Sequence, residues 1–364
     1  ELAMTVARNV VGSLVDAHTV RVEVNGSSEE TVEIHAEIVL LCTGSSPRHP
    51  GEYPFHDPRV YDSDTILSLT QMPRRMVVIG GGVIGTEYAC TFATLGAEVT
   101  VIDRKELLLG FLDHEIARSL MGRMRGNGIS IHCDGVAKCE ANDDVVALTL
   151  SSGSQLECDA LLVCAGRTSN VERLNLGVAG VETGARGLIK VDDNYRTTAP
   201  NIYAVGDVIG FPALASTSME QARFAMVNAF KLGYKQSVIP VLPYGVYSIP
   251  EVSMAGATEE ELRERGVDYI AGRAYYRDHP RGMIMGEGEG FLKLLFSFED
   301  LQLLGVHVIG EQATELVHVG LMALMMEAHG QLFIRACFNY PTLGDLYKYA
   351  TYDAMGKRQQ RITS

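Results

Sequence analysis

The chain has 364 residues, 46% of them apolar and 21% charged, with 7% aromatic and no tryptophan. At roughly 150 residues per domain this is two or three domains with ample core, which excludes a disordered tail and a disulfide-stapled miniprotein. Lys and Arg number 31 against 45 Asp and Glu, a net charge of −14 that argues against a nucleic-acid partner.

Seven widely spaced Cys show no metal-site spacing and read as reduced core cysteines of a cytoplasmic protein. The scattered His suggest no metal either. No apolar run approaches a membrane span, and the first thirty residues lack an export signal. The chain opens on Glu1 inside a segment, 2–16, that reads as amphipathic, so a start within a longer protein is expected.

Alternating or continuous apolar residues predict strands at 18–25 and 31–42, with Asn-Gly-Ser-Ser between them as turn chemistry. Residues 43–60 hold four Pro and read as a linker. A strand at 76–79, a glycine turn, a helix at 83–95 and a strand at 98–102 make a β-α-β unit, which implies parallel strands. A helix at 113–126 is opened by Asp113, with Glu115 in its first turn.

Short strands follow at 129–133, 136–140, 145–150 and 156–164, then two more within 188–208 and a helix at 214–231. From 241 the texture changes to strands near 244–254, 268–276 and 291–297, a Met-rich helix at 311–329 and a last helix from Leu343. Glu259, Glu260 and Glu261 after Thr258 read as the first turn of a helix. Met322, Met325 and Met326 follow helical spacing and read as core. The dense apolar faces of this region suit a second subunit or an ordinary core equally.

Gly80, Gly82 and Gly85 form G-x-G-x-x-G in its full context of strand, helix and second strand. The first Gly permits the tight turn, the second lets backbone approach a pyrophosphate, and the third lets the helix pack close. Phosphates then meet the helix N-terminus, where free amides favour anions. Asp103 ends the second strand, placed to accept hydrogen bonds from an adenosine ribose, and Arg104 and Lys105 could neutralise a 2′-phosphate. The site is therefore expected to accept both NAD and NADP, although a solvated charge cluster is as good a reading of Arg104 and Lys105. Glu87 shares a helix face with Val83, Ile84, Tyr88 and Phe92, where a carboxylate needs a partner. A surface-facing glutamate is the plainer alternative.

A second signature is NIYAVGDV at 201–208, a strand ending in Gly206 and Asp207 before a helix near Ala215 and Ser216. With TGSSP at 43–47 and CAGRTSN at 164–170 it becomes specific.

In this order these motifs resemble the flavoprotein pyridine-nucleotide oxidoreductases of the disulfide reductase type, the class I group that includes dihydrolipoamide dehydrogenase and glutathione reductase. The likeness extends through LDHEI (112–116), LASTSMEQAR (214–223), YSIPEVSMAGATEEEL (247–262) and FNYPT (338–342), nearly the whole chain. It implies an α/β fold with two Rossmann-like nucleotide-binding domains, the FAD domain interrupted by the NAD(P) domain, plus a C-terminal α+β dimerisation domain. The boundaries expected are 1–60 and 168–240 for FAD, 61–167 for NAD(P) and 241–364 for dimerisation. A homodimer or higher homo-oligomer follows.

By the same resemblance Gly80, Gly82, Gly85, Glu87, Asp103 and Arg104 would bind the nicotinamide nucleotide. Thr43, Gly44, Asp207, Ala215 and Ser216 would bind FAD, and Gly166 would be a further cofactor-binding position. Tyr340 and Asp345 would reach the partner subunit's flavin site.

Two departures from the family pattern decide the activity expected. The family's own FAD glycine turn and its C-x-x-x-x-C pair do not occur, and family order puts them ahead of residue 1. The family's His-Pro pair is replaced by Tyr340-Pro341, with Asp345 in place of the family's Glu. A phenol is a poor base at neutral pH, so thiol–disulfide exchange is disfavoured. Hydride passed from NADPH to NAD+ by way of FAD needs no such base. YDSDTIL (61–67), FLDHEI (111–116) and FNYPT resemble the branch of the family that performs that exchange. A dihydrolipoamide dehydrogenase-like disulfide oxidoreductase and a non-catalytic nucleotide-binding remnant are the alternatives.

Overall fold

Short runs rich in Val, Ile and Leu become central parallel strands when both of their faces are covered. In the computed structural model, which describes residues 6–24, 31–234 and 241–364, this happens around the glycine turn. The chain divides into two compact units, one of residues 1–48 with 166–238, the other of residues 49–165 with 239–364.

In the second unit five parallel strands lie in the order Val60–Tyr61, Ala160–Val163, Arg75–Ile79, Glu98–Asp103, Ser130–Cys133. Side chains alternate between faces. Met76, Val78, Val99, Val101 and Leu162 pack with Ala89 and Phe92 of the helix Val83–Thr94 and with Ile116 and Leu120 of the helix His114–Gly126. Val77, Ile79, Ile102 and Leu161 pack instead on Val146, Leu148 and Leu150 of an antiparallel three-stranded sheet, Val136–Ala141, Val146–Leu150 and Gln155–Cys158.

The C-terminal half of this unit is an antiparallel sheet in the order Tyr244–Val246, Val252–Gly256, Leu303–Ile309, Phe291–Ser297, Tyr269–Tyr275. Leu292, Leu294, Phe296, Val306 and Val308 face the helices Ala313–Met325 and Leu346–Thr363. Val252, Met254, Phe291 and Ile309 join the core of the parallel-sheet half.

The first unit holds three antiparallel strands, Val10–Leu14, Thr19–Val24 and Thr31–His35. Val39–Leu41 pairs in parallel with the distant Ile202–Ala204, and Ser45–Pro47 pairs antiparallel with Arg167–Ser169. Leu14, Val39, Leu41, Ile189, Ile202 and Val208 form its core, and the helix Ala215–Ala229 packs Ala225 against Tyr203 and Val205.

Several sequence expectations need correction. Residues 10–14 form a strand, because Val10 and Leu14 pair with Val24 and Val20 across a ladder that helical spacing does not reveal. The run 31–42 breaks at Ala36, whose N–H turns to the His18 carbonyl. The Asn-Gly-Ser-Ser turn expected before that run, at 25–28, lies outside the described residues. The segment 43–60 contains two short strands, Ser45–Pro47 and Val60–Tyr61. The run 156–164 breaks at Asp159, whose carboxylate accepts the Arg75 N–H at 2.8 Å. Within 188–208 one named strand forms, Ile202–Ala204, and a 3-10 turn follows at Gly206–Ile209. The strand Leu303–Ile309 was not expected, and the helix after it is confined to Ala313–Met325.

Met322, Met325 and Met326 are not core: they lie 50, 41 and 73% exposed on that helix's outward side. Cys42, Cys133 and Cys337 are exposed as well, although all seven Cys are free thiols. Asp113 does cap its helix, accepting the Glu115 N–H, and Thr258 and Glu261 form a reciprocal capping box. No described helix is long and apolar enough to cross a membrane.

Candidate functional site

The glycine turn joins the strand Arg75–Ile79 to the helix Val83–Thr94, and two of its glycines, Gly80 and Gly85, leave no room for a side chain against neighbouring backbone. Gly80 takes φ +102°, and its N–H bonds to the Ile102 carbonyl at 2.8 Å. A Cβ on Gly85 would overlap the Gly80 carbonyl oxygen, so the third glycine is what lets the helix seat on the turn. Gly82 is the opposite case: it is exposed, a Cβ there would meet no atom within 4 Å, and it caps the helix without a side-chain bond. The first-turn amides thus face open space with their partial positive charge, the arrangement that suits a pyrophosphate.

Asp103 stands beside them. Its Oδ2 accepts the Gly81 N–H at 2.7 Å and its Oδ1 the Lys105 N–H at 2.8 Å. Two backbone donors therefore fix the carboxylate against the turn, each oxygen keeping a lone pair for a ribose hydroxyl. Arg104 is exposed, and its Nε passes 3.4 Å from where a Gly135 Cβ would stand, so its side chain runs over the Gly135 loop.

Glu87 is half-buried, and burial raises its carboxyl pKa, while the Tyr247 N–H donated to Oε1 at 2.8 Å opposes that rise. The partner that its apolar helix face demanded is thus a backbone amide. Tyr88 donates its hydroxyl to the Ser63 carbonyl at 3.1 Å. Next to Ser63, Asp62 accepts from the backbone of Asp64 and Thr65, from Thr65 Oγ1 and from His49 Nε2 at 2.6 Å. Burial alone would raise its pKa, but these bonds outweigh it and hold the carboxyl at about 2.

In the first unit, Asn170 stitches two loops. It accepts Ser46 Oγ at 2.7 Å and donates Nδ2 to the Thr43 carbonyl at 2.9 Å, while Thr43 Oγ1 donates to its carbonyl. Gly44 and Gly166 have φ of +69° and +97°, and their outward faces are open. Asp207 accepts Ser45 Oγ at 2.8 Å, and Gly206 N–H is pinned by the buried Gln221. A Cβ on Gly206 would press on Ser218 of the following helix, which places the exposed Ala215 and Ser216 amides next to that turn. A carboxylate, open glycine faces and an uncapped helix N-terminus form a donor and acceptor set that fits the polyol and polar ring edge of FAD.

In the C-terminal region Tyr340 is 69% exposed, whereas Asp345 lies mostly inside, at the start of the helix Leu346–Thr363. Asp345 faces His279, a residue that sequence reasoning did not single out.

Sequence reasoning also missed a buried charge cluster. Lys293 Nζ, 1% exposed, lies 2.7 Å from Asp113, 2.9 Å from Glu115 and 2.6 Å from Glu259. Arg273 adds bonds to Glu115 at 2.6 Å and Glu259 at 3.4 Å. Burial works against all these charges, but the opposite charges prevail: the three carboxyl pKa values are lowered and that of Lys293 is raised. His307, Lys293's cross-strand neighbour, is wholly buried and pushed towards neutrality. The available signal was a lysine inside the apolar run FLKLLF. Among the described residues no group of His, Cys, Asp or Glu is arranged to hold a metal.

Residues 1–222 match the pyridine nucleotide-disulphide oxidoreductase family, and residues 242–351 match the dimerisation domain of that family. Among curated proteins the chain is 44% identical over 352 residues to the soluble pyridine nucleotide transhydrogenase of Pseudomonas putida (strain GB-1), covering 95% of this chain and 75% of that one. It is 42% identical over 347 residues to the protein of the same name from Mycobacterium bovis (strain BCG / Pasteur 1173P2), with 95% and 74% covered. Among solved structures it is similar to the HOCl-induced flavoprotein disulfide reductase RclA from Escherichia coli, at TM-score 0.84 and 28% identity, covering 92% of this chain and 77% of that one. It is also similar to LpdA from Mycobacterium tuberculosis, at TM-score 0.85 and 25% identity, with 94% and 75% covered.

Proposed function

The chain belongs to the pyridine nucleotide-disulphide oxidoreductase family, and we propose that within it the chain is a soluble pyridine nucleotide transhydrogenase, an FAD-dependent enzyme that moves hydride between NADPH and NAD+. The observation that carries this reading is the turn at Gly80–Gly85 with its uncapped helix and braced Asp103, a nucleotide cradle beside which the exposed Arg104 and Lys105 leave room for either nucleotide. Likeness to transhydrogenases over 95% of the chain supports it.

When bound, FAD supplies the two-electron carrier of the reaction. The chain's residues bind and orient. Helix amides after Gly82 take the pyrophosphate, Gly85 holds the helix in place, and Asp103 accepts the adenosine ribose. Arg104 neutralises a 2′-phosphate when NADP(H) is the nucleotide. Glu87, tied to Tyr247, orders the backbone beside the nicotinamide end. Thr43, Gly44, Asp207, Ala215 and Ser216 hold FAD, the last two through the positive end of their helix, and Gly166 is a further cofactor contact. Tyr340 and Asp345 face the flavin site of the partner in a homodimer, or in a higher homo-oligomer built from it, in the cytoplasm. The exposed Met322, Met325 and Met326 support a subunit surface there.

The test is the visible spectrum of the purified protein. Flavin absorbance that bleaches with NADPH and returns on adding NAD+ is the expected result. Efficient turnover of lipoamide or glutathione, or a colourless protein, overturns the reading.

A further inference from the structure

We propose that His279 is a positioning residue, a buried imidazole that sets both the Asp345 carboxylate and the Tyr340 ring. The inference rests on the reading of residues 340–345 as part of the hydride-transfer site. His279 is 3% exposed. Its Nδ1 accepts the Arg281 N–H at 3.2 Å, capping the short helix Pro280–Met285. In the neutral ring the proton therefore resides on Nε2.

That N–H has no hydrogen-bond partner among the described residues. It faces Asp345 Oδ2 at 3.5 Å, too far for a strong bond. The rings of Tyr340 and Tyr349 stand edge-on to the imidazole, with centroids 6.3 and 6.0 Å away. Both rings and the carboxylate come from one stretch of ten residues, so a single side chain from elsewhere in the sequence braces the loop and the first turn of the terminal helix together.

A leucine would fill this space without leaving a buried donor unsatisfied, so packing alone does not account for the imidazole. A cavity of about 190 Å³, lined by Asp278, His279, Leu346 and Tyr349 among others, borders the ring. It leaves room for the small shift that brings Nε2–H onto Asp345. The histidine thus holds the carboxylate by its N–H and the exposed Tyr340 by its ring.

Residues 1–364 contain no tryptophan, so Tyr340→Trp places the sole indole of this sequence at position 340. In the purified flavoprotein carrying that substitution, His279→Leu is expected to raise acrylamide quenching at least twofold and to speed the anisotropy decay. Asp345→Asn should act in the same direction, and His279→Gln, which keeps a side-chain donor, should recover half of the effect or more. Unchanged quenching in His279→Leu overturns the inference whatever the activity. Should that variant not fold, 15N shifts of His279 in the unaltered protein decide: a proton on Nε2 supports the inference and one on Nδ1 overturns it.

Turnover from NADPH to NAD+ in His279→Leu should fall three- to tenfold, with KM values within twofold. Altered fluorescence with unaltered turnover upholds the positioning role and overturns the placement of residues 340–345 in the site.

Discussion

Replacing Lys293 with Met should expose how strongly the buried charge cluster holds the second unit together. The methionine keeps the length and apolar stem of the lysine but removes the ammonium that lies within 2.9 Å of Asp113, Glu115 and Glu259. Arg273 still serves Glu115 and Glu259. Among the described residues Asp113 then keeps only N–H donors, from Glu115 and Glu259, at 1% exposure. Removing one partner from a buried ion pair costs about 3–5 kcal/mol, because the other charge stays behind. For a unit of this size that corresponds to a fall in Tm of about 6–20 °C.

The dependence on pH has a definite sign. In the unaltered protein the three carboxyl pKa values are lowered, so their contribution is present above the ordinary carboxylate range and is lost as pH falls through their folded values. In Lys293→Met the stranded Asp113 favours its neutral form, so the deficit shrinks as pH falls from 7.5 to 5. Adding Asp113→Asn removes the stranded charge and should recover at least about 1 kcal/mol. Urea denaturation at the two pH values measures both effects. A deficit below about 1 kcal/mol at pH 7.5, or one that grows towards pH 5, refutes the reasoning.

Gly85→Ala should weaken NADPH and NAD+ binding at least tenfold and lower Tm, because its Cβ would overlap the Gly80 carbonyl; titration calorimetry with near-native affinities contradicts this. Asp103→Ala should weaken NAD+ binding more than NADP+ binding, and equal losses count against the ribose assignment. The Asp62 carboxyl, held at about 2 against an ordinary 3.8, contributes roughly 2 kcal/mol above pH 4 that is lost as pH falls towards 2. The stability advantage over Asp62→Asn should therefore narrow over that interval, and a constant gap in acid denaturation refutes the assignment.

The glycine turn was legible because its signal is local: Gly80, Gly82, Gly85 and Asp103 lie within one β-α-β unit, where Gly80 and Gly85 leave no room for a side chain, Gly82 stays open and Asp103 braces the Gly81 amide. Asn201–Val208 was legible only beside its companion motifs, since a short strand ending in Gly-Asp is common by itself. The Lys293 cluster was illegible because its members are far apart in the chain, Lys293 and Asp113 by 180 positions; the oddity of a lysine inside an apolar strand marks a buried charge but does not name its partner. His279 lay hidden for the same reason, as Asp345 is brought to it by folding. The methionines of the helix Ala313–Met325 were misread because periodicity identifies an apolar face without telling whether the same chain covers it.

The Lys293 cluster also limits how this architecture can be recombined. Asp113 and Glu115 come from the nucleotide-binding segment, whereas Glu259, Arg273 and Lys293 come from the C-terminal one. Grafting a foreign C-terminal segment without its matching acids would leave charge stranded on one side of the seam. Exchange between relatives is therefore restricted to pairs in which both halves of this lock travel together.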